Sequence, residues 1–555
     1  MGTDMHVNRV PPDDVDGRDP GELVEGVESI EPAEGVEGVA ASVSGFRLAS
    51  PPLAEPRLGV PLLASPRPIS DALLPFTASQ VQRVLAAVSL VVVALALLDL
   101  ALRAALRLET RWDTFAYHLP FAARLAGIRI PYTISDLLQP YYGAFPPLPH
   151  LVQGWLWRLT GSMNATGVAN AIAFAGLLAY AHRCLKASFW LVAMIALTAP
   201  LVIIHAASSY VDLFGNSFLA AGACSCLYLF LFPEAARRRV FIGGLVALAA
   251  AAWSKFQLMP LVGLMLCLFA AIAVFQPQAA RLRRRPALLA LLGLGLLAAA
   301  PYLKNAVAYG NPFWPVKLPL VGDAFPYLFD PITTGVAGQR PPHLAALPQF
   351  QLFWHSLFEI DHPTHYPDRP RWIIDQGNAR LAFRMGGFWS IAAAFHLAAL
   401  VGSLIITCGR RGLYAALGVL GLLAGVACLP QSNELRYYLF IPLSGAVAIA
   451  MLMPRLAQRV PRLALALLSV SLGLFSYMVS ENWVHYRVER FDQAAAAHLW
   501  GADTVWPRLE RGKVYCAIDM LPAALLLTGP TLSEFIIVDR SRGRLCPRVS
   551  TPLRY

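Results

Sequence analysis

The residues best equipped for chemistry begin with W-D-T-F-A-Y-H-L-P, which places Asp113, Tyr117 and His118 just beyond an apolar run. A carboxylate there can take a proton from a hydroxyl or orient a metal ion. In α-helical geometry Tyr117, at i+4, shares the face of Asp113, and His118 points about 140° further round. Asp113 is equally suited to cap a helix N-terminus, and a lone His is more often hydrogen-bonded structure than a ligand. A second acid, Asp212, stands in H-A-A-S-S-Y-V-D-L-F-G-N, where it can face a watery cavity, snorkel or cap. Two cations complete the set: Lys255 in A-A-A-A-W-S-K-F-Q, and Arg436, followed by Tyr437, in Q-S-N-E-L-R-Y-Y-L-F. Either cation fits a lipid phosphate or a headgroup contact. A further group, Asp361, His362 and His365 in E-I-D-H-P-T-H-Y-P-D, could bind a divalent metal, although its prolines break regular ligand spacing and favour a solvated loop.

These residues are set in a chain that water cannot solvate as a globule. Of its 555 residues 57% are hydrophobic and only 14% charged, with a mean hydropathy of +0.53. Apolar runs match the ~20 residues needed to cross a bilayer core as a helix. They lie near 83–104, 162–183, 188–207, 211–232, 240–254, 256–276, 287–303, 387–408, 412–429, 437–454 and 462–480. The expected fold is an all-α polytopic membrane protein with about eleven transmembrane helices. Residues 146–160 are apolar and aromatic but span only ~22 Å as a helix. They read as an interfacial helix, a setting that suits Trp155, Trp157 and Arg158.

Charge orients the bundle. Arg237–Arg239, Arg281 with Arg283–Arg285, Arg410-Arg411, Arg455/Arg459/Arg462 and H-R-C-L-K at 182–186 fall in loops on one face. The positive-inside rule makes that face cytoplasmic, and such short blocks are membrane anchors, not a nucleic-acid surface. Lys255 goes against this tendency. The expected domains are a disordered cytoplasmic tail at 1–80, a transmembrane domain at 81–480 with outer loops 105–161 and 304–386, and an outer element at 481–555. The tail is acidic and unpatterned, with eleven Asp or Glu against two Arg in residues 1–40. The outer element has two strand-like runs, K-V-Y-C-A-I and F-I-I-V-D, and Cys516 and Cys546 there could pair. The other six cysteines lie in or beside spans and read as packing residues. No spacing resembles a zinc site. The localisation expected is the plasma (inner) membrane, multi-pass, with the site facing the periplasm or exterior.

Taken in order, W-D-T-F-A-Y-H-L-P, Y-V-D-L-F, W-S-K-F-Q-L-M-P, G-N-P-F-W-P at 310–315 and R-Y-Y-L-F-I-P-L resemble the GT-C superfamily of integral-membrane glycosyltransferases over residues 83–480. The kin of this pattern are protein O-mannosyltransferases, aminoarabinose transferases and lipopolysaccharide sugar transferases. The resemblance implies an inverting transfer of a sugar from a polyprenyl-phosphate donor to a glycan, lipid or protein acceptor. Asp113 would be the base or would position the acceptor, and Asp212 would hold the acceptor or a divalent metal. Lys255 and Arg436 would bind the donor or the departing lipid phosphate, with Tyr117, His118 and Tyr437 beside the substrate. A single Asp in the first loop, and no β-trefoil insertion, count against a protein acceptor.

The chemistry agrees independently. Departure of a lipid phosphate develops negative charge that fixed cations stabilise, and an acceptor hydroxyl needs a nearby base. The rival readings are a lipid or sugar transporter or flippase, and a surface-polysaccharide polymerase or ligase using the same carrier. A transporter typically shows paired halves and charges near the midplane. No internal repeat is visible, and the notable charges sit at helix ends. Asp99, inside the first span, is the exception.

Overall fold

The computed structural model describes residues 80–108, 113–128, 139–235, 238–276, 284–318, 322–328, 330, 342–344, 346–360, 372–374, 385–485, 514–518, 536–540 and 551–553. The acidic tail, Asp361, His362, His365, and Cys546 lie outside the described residues.

The chain is a polytopic helical membrane protein. Fifteen α-helices appear among the described residues. They are α1 Gln80–Leu106, α2 Leu119–Leu125, α3 Gln139–Ala144, α4 Leu148–Thr160, α5 Val168–Leu185, α6 Phe189–Ala196, α7 Pro200–Ala206 and α8 Asp212–Leu231. There follow α9 Arg238–Ala252, α10 Met259–Phe275, α11 Arg284–Tyr309, α12 Gln349–Leu357, α13 Ser390–Ala427, α14 Phe440–Arg459 and α15 Pro461–His485.

The apolar stretches expected to span are largely helical, although not each of them is a separate straight helix. Among the described residues eight helices are long and apolar enough to cross, or nine if α6 and α7 form one broken span. Those two helices meet at 105°. The cause is Pro200, which has no N–H to continue the ladder and holds Ala199 extended at φ −87°, ψ 114°. Two expected spans fall within the 38-residue α13, which is interrupted at Gly409 (φ 55°, ψ −128°) beside Arg410-Arg411. The span expected at 240–254 is α9, only 15 residues long.

α8 forms the centre of the bundle and is buried on all sides, packed by α5, α9 and α14. Its first residue, Asp212, is therefore deep in the protein. At this end Tyr302 donates to the carbonyl of Ala252 (3.0 Å), Leu148 to that of Trp253 (3.0 Å) and Asn305 to that of Ala144 (2.9 Å). Among the described residues, Arg238 and Arg284 open α9 and α11 and Arg459 closes α14 at the opposite helix ends; there Arg459 donates to the carbonyl of Ile406 at 2.5 Å.

The short segment at 146–160 forms α4, buried at His150, Gln153 and Gly154 and exposed at Trp155 and Leu159. In the long loop, Asn311 knots the expected turn: its amide donates to the carbonyls of Val316 (3.0 Å) and Pro326 (2.9 Å), and its side-chain oxygen accepts from Phe313 N–H (2.8 Å). Near the C-terminus β1 Val514–Ile518 lies between β2 Ile536–Arg540 and β3 Thr551–Leu553, parallel to both. The two strand-like runs are β1 and β2; β3 was not foreseen. Among the other cysteines Cys224 and Cys226 are buried packing residues as expected, whereas Cys267 and Cys428 are exposed.

Candidate active site

Asp113 leads into a π-helical turn, Thr114–His118. Hydrogen bonds from i to i+5 take in more residues per turn than an α-helix, so the α-helical expectation of His118 pointing away does not hold. Tyr117 lies in the field of Asp113, and His118, its ring centroid 4.2 Å from that of Tyr117, in the field of Lys255 and Arg436. The capping alternative for Asp113 is overturned as well, because its side chain makes no capping bond. Its carboxylate instead accepts from Arg436, 3.2 Å away and 323 residues along the chain.

Arg436 is buried in a 3-10 turn, Leu435–Tyr438, at the head of α14. Its guanidinium also faces Glu434 at 3.5 Å, donates to the Tyr437 hydroxyl at 3.1 Å and stands 5.0 Å from the Tyr437 ring and 5.5 Å from that of Tyr210. A buried charge so placed has to be paired, and two carboxylates and two rings surround it.

The second pair is Asp212 with Lys255. Asp212 occupies the first turn of α8, where the helix dipole favours a negative charge. The N-cap position itself is Val211, which makes no side-chain cap. Lys255 stands in the turn between α9 and α10, mostly buried, its ammonium 4.1 Å above the same Tyr437 ring. Tyr437 thus touches both cations, and the seven candidate residues Asp113, Tyr117, His118, Asp212, Lys255, Arg436 and Tyr437 gather in one buried constellation.

The sequence places this constellation through close approaches. A Cβ on Gly154 would come within 2.1 Å of the Ala122 carbonyl, so only glycine lets α4 lie against α2. One turn before Gly154 is His150, and one turn before Ala122 is His118. A Cβ on Gly215 would meet Leu258 at 2.8 Å and Ser254 at 2.9 Å, which sets the first turn of α8 against the Lys255 turn. The segment ahead of Asp212 is pinned by Gln153 to the Ser209 carbonyl (2.7 Å), Asn170 to the Ser208 carbonyl (2.9 Å) and Thr166 to the Ser209 hydroxyl (2.7 Å). Asn216 joins α8 to α14: it donates to the Asp212 carbonyl (2.8 Å) and accepts from Phe440 N–H (2.9 Å).

Several site residues had no role assigned from sequence. His150 lies 2.9 Å from His118, and Tyr210 packs on His118 with centroids 5.2 Å apart. Glu359, from the loop motif suspected of binding metal, is a structural acceptor. Its Oε1 takes Trp372 Nε1–H (2.8 Å) and the N–H groups of Gly387 (3.0 Å) and Trp389 (3.1 Å), setting the entry to α13. Among the described residues no three His, Cys, Asp or Glu side chains form a metal-holding group.

Burial and the local field set the ionisation. Burial, then the Asp113 carboxylate, pushes the Tyr117 phenol well above its usual range. Burial, then His150, Lys255 and Arg436, holds His118 well below the imidazole range, and burial with Lys255 holds His150 down at about 3. Burial also lowers Lys255, with Asp212 opposing it.

An apolar cavity of about 840 Å³ lies between α6, α8, α10, α13 and α14. Its walls start at Pro260 and Phe440, five residues after Lys255 and four after Arg436, and run down α10 to Gln276.

No protein-family model and no curated protein matches the sequence. Among solved structures, that of ArnT from Cupriavidus metallidurans bound to undecaprenyl phosphate matches over 83% of this chain and 86% of its own, with 13% identity and a TM-score of 0.48. The same protein in the apo state matches over 82% and 86%, with 14% identity and a TM-score of 0.38. With so few shared residues and so loose an overlay, the likeness assigns no ligand and no residue role to this chain.

Proposed function

We propose that the protein is a GT-C-type glycosyltransferase that moves a sugar from a polyprenyl-phosphate donor to an acceptor at the outer face of the membrane. One observation carries the reading: two buried acid–cation pairs meet on the Tyr437 ring, and Pro260 and Phe440, a few residues beyond the two cations, line an apolar cavity. A lipid-phosphate sugar needs that combination, with hydrocarbon walls for its tail and fixed charge for its head.

In this reading the tail lies in the cavity and the phosphate engages Lys255 and Arg436. As the bond from C1 to the phosphate oxygen breaks, its electron pair stays on that oxygen, and the two cations stabilise the growing charge in a site of low dielectric. The engaged cations then pull less on Asp113 and Asp212. Asp113 takes the proton of the acceptor hydroxyl, which attacks C1 from the face opposite the phosphate and inverts it. Asp212, held at the helix N-terminus, keeps Lys255 aimed at the phosphate. The Arg blocks at the far helix ends support an outward-facing site. The ion pair of Asp99 with Arg103, one turn apart on α1, removes the naked intramembrane charge that favoured a transporter.

The test is release of polyprenyl phosphate from a panel of polyprenyl-phosphate sugars by the protein in lipid nanodiscs. Wild type releases it, and Asp113→Asn slows release by about 10²–10⁴-fold while folding and lipid binding persist. Translocation of intact donor without release, equal in both proteins, would replace this reading with a flippase.

A further inference from the structure

His118 and His150 are buried titratable groups that the two acid–cation pairs leave without a chemical task. They are 1% and 2% exposed. Nδ1 of His118 stands 2.9 Å from Nε2 of His150, with the rings 28° from parallel. A hydrogen bond between these nitrogens uses one N–H and one lone pair, so the neutral pair holds two protons and has room for a third. The other nitrogen of His118, Nε2, is buried without a hydrogen-bond partner among the described residues. A buried polar atom left so is costly unless something arrives to meet it.

What faces the pair decides when a third proton is welcome. Lys255 and Arg436 both act on it, as does His205. The rings of Tyr117, Tyr210 and Phe121 close the remaining sides, at 4.2 Å and 5.2 Å from His118 and 5.5 Å from His150. Burial and the field of Lys255, with Arg436 acting on His118 as well, hold the rings neutral. An anion seated on the same two cations reverses that field. The donor is a phosphodiester with one negative charge; the lipid phosphate that leaves is a monoester that reaches two.

We propose that the His118–His150 pair takes up one proton when a lipid phosphate monoester occupies Lys255 and Arg436, and so stores the proton lost by the acceptor hydroxyl. The proposal rests on the glycosyl-transfer reading. The acceptor oxygen bonds to C1, the C1–O bond to phosphate breaks and its electron pair goes to the phosphate oxygen. The proton drawn off by Asp113 passes to Nε2 of His118, whose Nδ1 proton moves to Nε2 of His150. The phosphate gains one negative charge and the pair one positive, so total charge is unchanged.

The experiment is titration calorimetry of the full-length protein in nanodiscs with polyprenyl phosphate at pH 8, in buffers of different ionisation enthalpy. At that pH the free monoester is already a dianion, since its second pKa is about 6. Wild type should take up about one proton per bound lipid, and none with the methyl ester of the same lipid, a diester. His118→Gln and His150→Gln should each bind the monoester and lose the uptake. Monoester binding without proton uptake in wild type, equal uptake from the diester, or uptake unchanged in both variants would overturn the proposal. If wild type binds no polyprenyl phosphate at all, the glycosyl-transfer reading fails and this proposal with it.

Discussion

At Asp212 and Lys255 two opposite charges are buried together, and the consequences of substitution follow from that pairing. Removing one partner of a buried pair typically costs about 3–5 kcal/mol, because the other charge is left uncompensated. Asp212→Asn should therefore lower the thermal unfolding midpoint in detergent, and adding Lys255→Met to the same chain should recover most of the loss. Sugar transfer should stay absent in the double variant. Recovery of both stability and transfer would remove these residues from the chemistry. The sequence made the acids and cations legible because each is a charge at a place where a membrane protein rarely spends one. It did not reveal which acid meets which cation, since Asp113 and Arg436 are separated by 323 residues. His150 carried no signal of its own: its partner becomes visible only when α4 is laid against α2.

Elements carry the positioning. Helix periodicity located the apolar segments well, because length and composition alone decide which stretches can cross a bilayer. It misjudged local winding where helices depart from 3.6 residues per turn. The π-turn after Asp113 is such a place, and the 105° bend at Pro200 is another. The proline was in plain view; its effect was missed because a straight span satisfied the hydropathy. Gly154 makes the positioning role testable. Gly154→Leu forces a side chain onto the Ala122 carbonyl, so α4 must move off α2 and the His118–His150 bond must break. Transfer should fall by up to about 10²-fold, as expected when a reacting group is displaced by roughly 1 Å. Gly161→Leu, at the open end of the same helix where a Cβ meets nothing within 4 Å, serves as the comparison, although its φ of +69° adds backbone strain. Equal losses in both would mean that backbone conformation, not helix contact, sets the rate.

For the whole molecule the question is whether the apolar cavity holds the lipid tail. Composition announced a membrane protein, yet no reading of periodicity could announce a cavity, which is a space between helices brought together by packing. Gly445 on α14 lines it, and a Cβ there meets nothing within 4 Å, so a larger side chain enters empty space. Gly445→Leu should raise KM for the polyprenyl donor by about tenfold with kcat little changed, the signature of lost uniform binding. An unchanged KM would place the tail elsewhere.

The most direct test of glycosyl transfer by the paired acids is made in cells. Mass spectrometry of lipid-linked sugars and surface glycans would compare a deletion strain complemented with wild type or with Asp113→Asn. A polyprenyl-phosphate sugar should accumulate, and one surface sugar disappear, in the deletion strain and in the Asn strain alike, with both pools restored by wild type. Pools identical in all strains, or full restoration by the Asn variant, would contradict the account.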